Sequence, residues 1–291
     1  MELSIITVNY NNKAGLQKTI DSVIAQTWRD FEWIIIDGGS TDGSKELIEK
    51  YQQYFAYWCS EPDKGVYNAM NKGIDKAKGE YLNFMNSGDC FYAKDTLEEV
   101  FARNTLNADM VYGDWARDEK DKIVMMKAPQ EASLYSFYVD NICHQAMFIK
   151  SLVMKKEGYD EIYKYYADWA RWLKMMLDKA TSQYVPVVVC LYDTQGISNQ
   201  VNANMDAEMQ RLRSQIPIEE RDLLEKLREY FDESRMYKRE LSKYESEPVI
   251  QETYTLIKGN SWYYRLIRLN LFLLMRIQAF KNKLSVSKAK K

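Results

Sequence analysis

The chain has 291 residues, of which 46% are hydrophobic and 28% charged, and this composition excludes a disordered or fibrous chain. Its formal net charge of -2 gives no reason to expect nucleic-acid binding across the whole surface. A single histidine excludes any site that needs two, and four cysteines without a CxxC pair favour reduced thiols in a cytosolic protein over disulfides or a zinc site.

Strand and helix patterns alternate through the first 90 residues. Apolar, β-branched runs predict strands at residues 3–8, 31–36, 57–60 and 81–85. Helical spacing of apolar residues and polar turns predict the helices between them, the second one capped by Ser40 or Thr41. The alternation predicts an α/β fold with a mostly parallel sheet and right-handed crossovers. The first residues run directly into a strand, so we expect no signal peptide.

The pattern is less regular after Asp89. It predicts further strands at residues 109–113, 122–126, 145–149 and 184–192, and a helix over 168–177. Composition then changes, because residues 203–246 are rich in Glu, Arg, Lys and Leu and are typical of solvated helices. We therefore predict a catalytic-type α/β domain over residues 1–202 and a helical C-terminal extension over residues 203–291.

Residues 262–283 form a basic amphipathic segment. Its longest apolar run, residues 271–275, is too short to span a bilayer. At ~100° per residue, its basic side chains fall within about 80° of one another, and they are Arg265, Arg268, Arg276 and Lys283. Aromatic residues stand at one end and a lysine-rich tail at the other. This predicts a helix lying on an anionic membrane surface, the alternative being a helix docked on the catalytic domain.

Polar residues recur where the predicted strands end, at Tyr10, at Asp37 and in the stretch Asn86-Ser87-Gly88-Asp89. In open α/β sheets, ligands bind at this edge. Asp89 offers a carboxylate and Asn86 an amide, and oxygen ligands suit a hard cation that bridges two phosphates. The stretch therefore suggests a nucleotide-diphosphate and metal site, but with one carboxylate fewer than the usual pair.

Each of these residues also has a simpler interpretation. Tyr10 could be a core aromatic, Asp37 a turn carboxylate, and Lys64 part of an ordinary charged turn. An isolated Asp168 before an apolar helical pattern is most often an N-cap, and His144 could be a satisfied core histidine. Asp42 fits a helix-capping role better than Asp37 does, because it already lies in the turn.

Three common nucleotide and hydrolase motifs are absent from the sequence. No GxGxxG follows the first strand, which argues against a dinucleotide oxidoreductase. There is no GxxxxGK[ST] and no GxSxG, which argues against a P-loop enzyme and an α/β-hydrolase.

The order and spacing of several motifs resemble the family 2 glycosyltransferases of the GT-A fold. The resemblance rests on residues 4–11, 36–43 and 79–89, the last ending in Asn86-Ser87-Gly88-Asp89. Residues 60–73, together with His144-Gln145 and residues 168–173, resemble a bacterial subgroup that builds colanic-acid-like, capsular and O-antigen polysaccharides. The similarity covers about residues 3–195.

The resemblance implies a role for each matching position in an inverting transfer from a nucleotide-diphosphate sugar. Asp168 would be the general base, and Asp89, at the last position of the DXD motif, would hold Mg²⁺ or Mn²⁺. Asn86 takes the place of the first aspartate of that motif and would contact the ribose or the sugar. The other nucleotide-sugar-binding residues would be Val8, Tyr10, Asp37, Lys64, Asn71 and Ser87. Acceptor-side residues would be His144, Gln145 and Trp169.

The resemblance therefore implies transfer of a sugar from a nucleotide-diphosphate sugar to a saccharide or lipid-linked saccharide acceptor in bacterial surface polysaccharide synthesis. The donor is expected to be a UDP-sugar, as is usual in the family. No nucleic-acid partner is expected. We predict a cytoplasmic protein, peripheral on the inner face of the cytoplasmic membrane through residues 262–291. The alternatives are a sugar nucleotidyltransferase and a non-catalytic nucleotide-sugar binding protein, the latter suggested by Asn86.

Overall fold

The computed structural model describes residues 1–119, 122–134, 136, 142–194, 203–218, 221–226, 228–229 and 232. The predicted amphipathic helix at residues 262–283 and the lysine-rich tail lie outside the described residues. No helix within the described part of the chain is long and apolar enough to cross a bilayer.

The first half of the chain forms the predicted alternation of strands and helices. Its elements are β1 (Leu3–Asn9), α1 (Lys13–Ile24), β2 (Phe31–Asp37), α2 (Ser44–Tyr51), β3 (Tyr57–Ser60), α3 (Val66–Lys76) and β4 (Tyr81–Phe84). The four strands pair in parallel in the order β3-β2-β1-β4. All seven residues of β1 are buried, as expected for a central strand covered on both faces.

Helix α2 is not capped by Ser40 or Thr41, which corrects that prediction. Its N-cap is Gly43, in a left-handed conformation with φ 89°, and Gly43 has no capping side chain. The carboxylate of Asp42 instead accepts from the backbone N–H of Ser44 at 3.0 Å, which satisfies a donor of the first turn.

The second half extends the sheet with mixed strand directions. It contains β5 (Cys90–Phe91), β6 (Met110–Glu119), β7 (Lys122–Met126), β8 (Met147–Lys150), α4 (Ser151–Lys156), α5 (Ala167–Leu177), β9 (Ser182–Asp193) and α6 (Ala203–Ser214). The sheet order continues β4-β8-β6-β9-β5, and β7 pairs with β6. Strand β8 is antiparallel to β4 and β6, whereas β9 is parallel to β6. The α/β fold is thus confirmed, with parallel pairing in the first half and largely antiparallel pairing in the second.

These directions bring the carboxyl ends of β1, β2, β4 and β9 to one edge of the sheet. Strand β8 reverses the direction of β4, β6 reverses it again, and β9 follows β6. The residues at or just after these ends are Asn9, Asp37, the stretch 86–89, and Asp193. All of them therefore belong to the edge at which ligands bind in α/β sheets.

Helix α6 lies in the same compact unit, Met1–Arg228, as the sheet. The carboxylate of Glu208 on this helix accepts from the backbone N–H groups of Lys164, Tyr165 and Tyr166, which precede α5. Leu212 is fully buried. The predicted division of the chain at residue 202 stays a prediction.

Candidate functional site

The turn between β4 and β5 is fixed by a helix residue from outside it. The hydroxyl of Thr19, on α1, lies 2.6 Å from the carbonyl oxygen of Asp89 and accepts from the N–H of Gly88 at 3.0 Å. Gly88 has φ 106°, and a Cβ there would lie 2.7 Å from Oδ2 of Asp193. Only glycine fits this conformation and space without strain, so the turn presents Asp89 in one fixed position.

Asp89 is a buried carboxylate held by two donors. Its side chain is 5% exposed. Oδ1 accepts from the backbone N–H of Asp193 at 2.8 Å, and Oδ2 accepts from Nε2 of Gln145 at 2.7 Å. Burial raises the pKa of Asp89 to about 6, against the lowering effect of these two hydrogen bonds. Each oxygen keeps a further lone pair, so the carboxylate can still accept a cation.

A second carboxylate, which sequence reasoning missed, stands beside Asp89. Asp193 ends β9, and its Oδ2 lies next to Gly88. The negative charge of Asp193 raises the pKa of Asp89 further. Asp89 and Asp193 together offer the oxygen ligands that Mg²⁺ and Mn²⁺ prefer. Among the described residues there is no cluster of three or more His, Cys, Asp or Glu that could hold a metal. The signal for Asp193 was its position, an acidic residue at the end of the last predicted strand.

Asp168 is held by two donors at the start of α5 and does not cap that helix. The N-cap is Tyr166. Oδ1 of Asp168 accepts from the hydroxyl of Tyr67 at 2.9 Å, and Oδ2 lies 3.2 Å from Nδ1 of His144. Burial raises the pKa of Tyr67 well above its usual value, and the charge of Asp168 adds to this. Tyr67 therefore stays a neutral donor to a carboxylate that can act as a base.

Residues 144 and 145 join the two carboxylates. His144 contacts Asp168, while the adjacent Gln145 donates to Asp89. The second ring nitrogen of His144, Nε2, lies 3.1 Å from Nδ2 of Asn86. The structure thus brings together five residues that the sequence analysis assigned to the donor, metal, base and acceptor groups. Gln145 is 2% exposed, and its amide contacts the carboxylate of Asp89.

Asp37 is fully buried and saturated with hydrogen bonds. It accepts from the side chains of Asn9, Ser40 and Ser60 and from the backbone N–H of Ser40, at 2.6 to 2.9 Å. Burial would raise the pKa of Asp37, but the hydrogen bonds from Ser40, Ser60 and Asn9 lower it. In this structure the carboxylate joins the ends of β1, β2 and β3, and its predicted contact with a nucleobase stays a prediction.

Tyr10 is 67% exposed and borders an open surface beside Gly38. A Cβ on Gly38 would lie 3.1 Å from Cδ2 of Tyr10 and 2.7 Å from Oδ2 of Asp63. An aromatic ring and a carboxylate thus flank the same backbone position. Such a pair suits the face and the N–H edge of a nucleobase. Asp63 is a second residue that sequence reasoning did not single out.

The remaining predicted donor-side residues are more dispersed. The carbonyl of Val8 accepts from the N–H of Ser87 at 3.1 Å, so both belong to the sheet edge. Lys64 is exposed in the loop before α3. Asn71 exchanges two hydrogen bonds with the backbone of Tyr159, at 2.9 and 2.8 Å. This amide holds the loop before α5, and its predicted contact with the nucleotide stays a prediction.

A small aromatic pocket lies beside Asp168, the candidate base. It is lined by Phe84, Tyr159, Trp169 and Trp172 together with His144 and Asp168. The ring of Trp169 packs between those of Tyr166 and Trp172, at centroid distances of 6.2 and 6.5 Å. Aromatic walls next to a carboxylate suit a sugar ring that presents a hydroxyl group.

Comparison with known sequences identifies one family. The model described as Glycosyl transferase family 2 matches residues 4–161. An uncharacterised glycosyltransferase of Mycobacterium tuberculosis (strain ATCC 25618 / H37Rv) is 35% identical over 202 residues, 68% of this chain and 77% of that protein. A PGL/p-HBAD biosynthesis glycosyltransferase of Mycobacterium bovis (strain BCG / Pasteur 1173P2) is 33% identical over 212 residues, 68% of this chain and 79% of that protein.

Solved structures share the fold at low sequence identity. S. aureus TarS 1-349 in complex with UDP superposes with a TM-score of 0.60 and 19% identity, over 73% of this chain. The chain spans 64% of the length of that structure. The mannosyltransferase PcManGT from Pyrobaculum calidifontis, in complex with GDP-Man and Mn²⁺, has a TM-score of 0.56 and 14% identity, over 94% of this chain and 85% of its own.

Proposed function

Because this chain belongs to glycosyl transferase family 2, we propose that it is an inverting, metal-dependent glycosyltransferase that moves a sugar from a nucleotide-diphosphate donor to a saccharide or lipid-linked saccharide acceptor. The observation that carries the proposal is the pair His144-Gln145. These adjacent residues contact Asp168, the candidate base, and Asp89, the candidate metal ligand. Donor and acceptor would therefore meet at one point of the sheet edge.

The residues define what each side of the reaction needs. A divalent cation held by Asp89 and Asp193 would neutralise the charge that develops on the leaving diphosphate. Asp168 takes the proton of the acceptor hydroxyl as its oxygen bonds to the anomeric carbon and the bond to the diphosphate breaks. Tyr67 and His144 keep the Asp168 carboxylate in place during this step. A single displacement inverts the anomeric centre.

We propose UDP as the nucleotide of the donor. We propose the synthesis of a surface polysaccharide or glycolipid as the pathway. The related TarS structure contains UDP, whereas PcManGT contains GDP-Man. A relative is named for PGL/p-HBAD biosynthesis, which supports a surface-lipid acceptor. The colanic-acid-like subgroup remains a prediction, because neither comparison names it.

A thermal-shift panel of nucleotides and nucleotide sugars, with and without Mn²⁺, tests the donor side. When the true donor is present at about 100 times its Kd, its binding stabilises the folded state by about 2.7 kcal/mol. This stabilisation raises the Tm by roughly 5–10 °C for a chain of this size. We expect the Mn²⁺-dependent part of this shift to disappear in Asp89→Ala. Asp75→Ala, an exposed position on α3, serves as the control and should keep the shift.

If Mn²⁺ and the donor raise the Tm of Asp89→Ala as much as that of the wild type, Asp89 does not hold the metal. Release of pyrophosphate instead of a nucleoside diphosphate in a turnover assay would favour a sugar nucleotidyltransferase. Donor binding without transfer to any acceptor in a broad panel would favour a non-catalytic binding protein.

Removal of residues 262–291 tests the proposed peripheral location at the membrane. The basic face of residues 262–283 should attract anionic lipid by about 1 kcal/mol per Lys or Arg near the surface. We expect the full chain to sediment with anionic vesicles at low salt and the shortened chain to stay in the supernatant. A variant with Arg265, Arg268, Arg276 and Lys283 changed to Gln keeps the apolar face and should lose the salt-sensitive part of binding. Equal sedimentation of all three proteins would contradict the proposal.

A further inference from the structure

The imidazole of His144 lies between an amide and a carboxylate. Nε2 is 3.1 Å from Nδ2 of Asn86, and Nδ1 is 3.2 Å from Oδ2 of Asp168. With Nδ2 of Asn86 facing the ring, the amide nitrogen can only donate, and this orientation assigns Nε2 as the acceptor without a proton. The proton of the neutral ring is therefore on Nδ1, where it is donated to Asp168.

We propose, on the basis of the transfer reaction proposed above, that Asn86 is a positioning residue for the catalytic base. Its amide N–H favours the neutral form of the His144 ring with the proton on Nδ1, and the Nδ1–H group orients the carboxylate of Asp168. The position that corresponds to the first aspartate of the DXD motif thus serves the acceptor side as well as the donor side.

The other end of the same amide points to a ligand contact. Oδ1 of Asn86 is buried and has no hydrogen-bond partner among the described residues. A buried acceptor without a donor is unfavourable, and such groups are usually satisfied by a ligand or water. A hydroxyl group of the ribose or of the donor sugar has the chemistry to satisfy it. Asn86 would then link the bound donor to the orientation of Asp168.

An amide suits this position better than a carboxylate for a reason of charge. Aspartate at position 86 would accept a hydrogen bond and would therefore hold a second proton on Nε2. The resulting imidazolium would place a full positive charge next to Asp168 and would lower the proton affinity of the base. The missing carboxylate of the DXD motif thereby preserves the basicity of Asp168, while Asp193 stands beside Asp89 on the metal side.

Several groups act on the charge of the ring. Burial lowers the pKa of His144, but the hydrogen bond and charge of Asp168, followed by the charges of Cys143 and Asp89, raise it above its usual value. The N–H of Asn86 acts in the opposite direction, because it stabilises the unprotonated Nε2. Substitutions that remove this N–H should therefore raise the pKa of His144, and a carboxylate at position 86 should raise it further.

The test uses nitrogen NMR on the full chain, in which His144 is the only histidine and its ring signals need no further assignment. At about pH 8.5 we expect a neutral wild-type ring protonated on Nδ1. The pKa of His144 should rise from wild type to N86A and again to N86D, with at least about one unit between wild type and N86D. N86D should also lower kcat about tenfold in the neutral pH range while changing the KM for the donor by less than about threefold.

Asn107→Asp is the matched control, since it adds the same charge at an exposed position before β6. It should leave both the ring and kcat unchanged. A wild-type ring protonated on Nε2, an unchanged His144 pKa in N86D, or a higher kcat in N86D would overturn the proposal. The NMR readout needs no substrate, so the two proposals can fail separately. If the spectra are as expected but neither the wild type nor any variant transfers a sugar, the proposed function is wrong and the link between Asn86 and His144 stands.

Discussion

Asp168→Asn is expected to lower kcat by about 100- to 10,000-fold, the usual contribution of a positioned general base. The amide cannot take the proton of the acceptor hydroxyl, although it fills the same space on α5. The donor Kd should change little. The Tm should fall less than in Asp37→Asn, because the amide oxygen still accepts from Tyr67 or His144 and only one of the two donors loses its partner. The measurement is nucleoside diphosphate release with a saturating acceptor, alongside a calorimetric donor Kd.

Asp178→Asn is the matched control for this variant. Asp178 follows the same helix at its C-terminal end, with a side chain that is 60% exposed. It should retain wild-type turnover. Turnover of Asp168→Asn within about threefold of wild type would mean that another group accepts the proton.

Asp37→Asn is expected to cause the largest loss of stability among single polar substitutions at the site. The carboxylate accepts from four donors in a fully buried position. An amide can accept on one side only and would place an N–H against two of these donors. Removing one partner from a buried charged network costs about 3–5 kcal/mol, which lowers the Tm by roughly 10 °C for a chain of this size.

The effect of Asp37 depends on pH in a defined direction. Because its pKa is lower in the folded state than the ordinary value of 3.8, its stabilisation is complete above about pH 4 and is lost as the pH falls through the folded-state pKa. The Tm difference between wild type and Asp37→Asn should therefore be largest near neutral pH and shrink in strong acid. Asp75→Asn, at an exposed position on α3, is the control. A Tm for Asp37→Asn within about 2 °C of wild type would contradict the network argument.

The rule that ligands bind at the carboxyl ends of the strands predicted much of the candidate site from the sequence. Asp37, Asp89 and the turn at residues 86–89 follow apolar strands, and all of them lie at the carboxyl edge of the sheet. The same rule, applied to the last predicted strand, would also have selected Asp193. Thr19 was not predictable in this way, because a buried threonine on a helix has the same sequence pattern whether or not its hydroxyl fixes a distant turn.

Side-chain partners across the sheet were beyond the reach of sequence patterns. His144 and Gln145 were expected on the acceptor side, but Gln145 donates to Asp89, and His144 contacts both Asn86 and Asp168. These contacts follow from the antiparallel pairing of β8 with β4, which brings the start of β8 next to the turn after β4. Hydrophobic periodicity shows that a strand is buried, but it does not reveal its neighbour or its direction.

The sequence by itself determined the alternating α/β half of the fold, the carboxyl edge as the candidate site, and the residue types available there. Those features depend on local hydrophobic spacing and on the physical rule that parallel strands end together. The tertiary structure alone decided that Asp193 stands beside Asp89 and that Asn86 contacts His144, the partner of Asp168, instead of completing a pair of carboxylates. Such contacts join segments up to 104 residues apart, and only the pairing of β8 and β9 within the sheet brings them together.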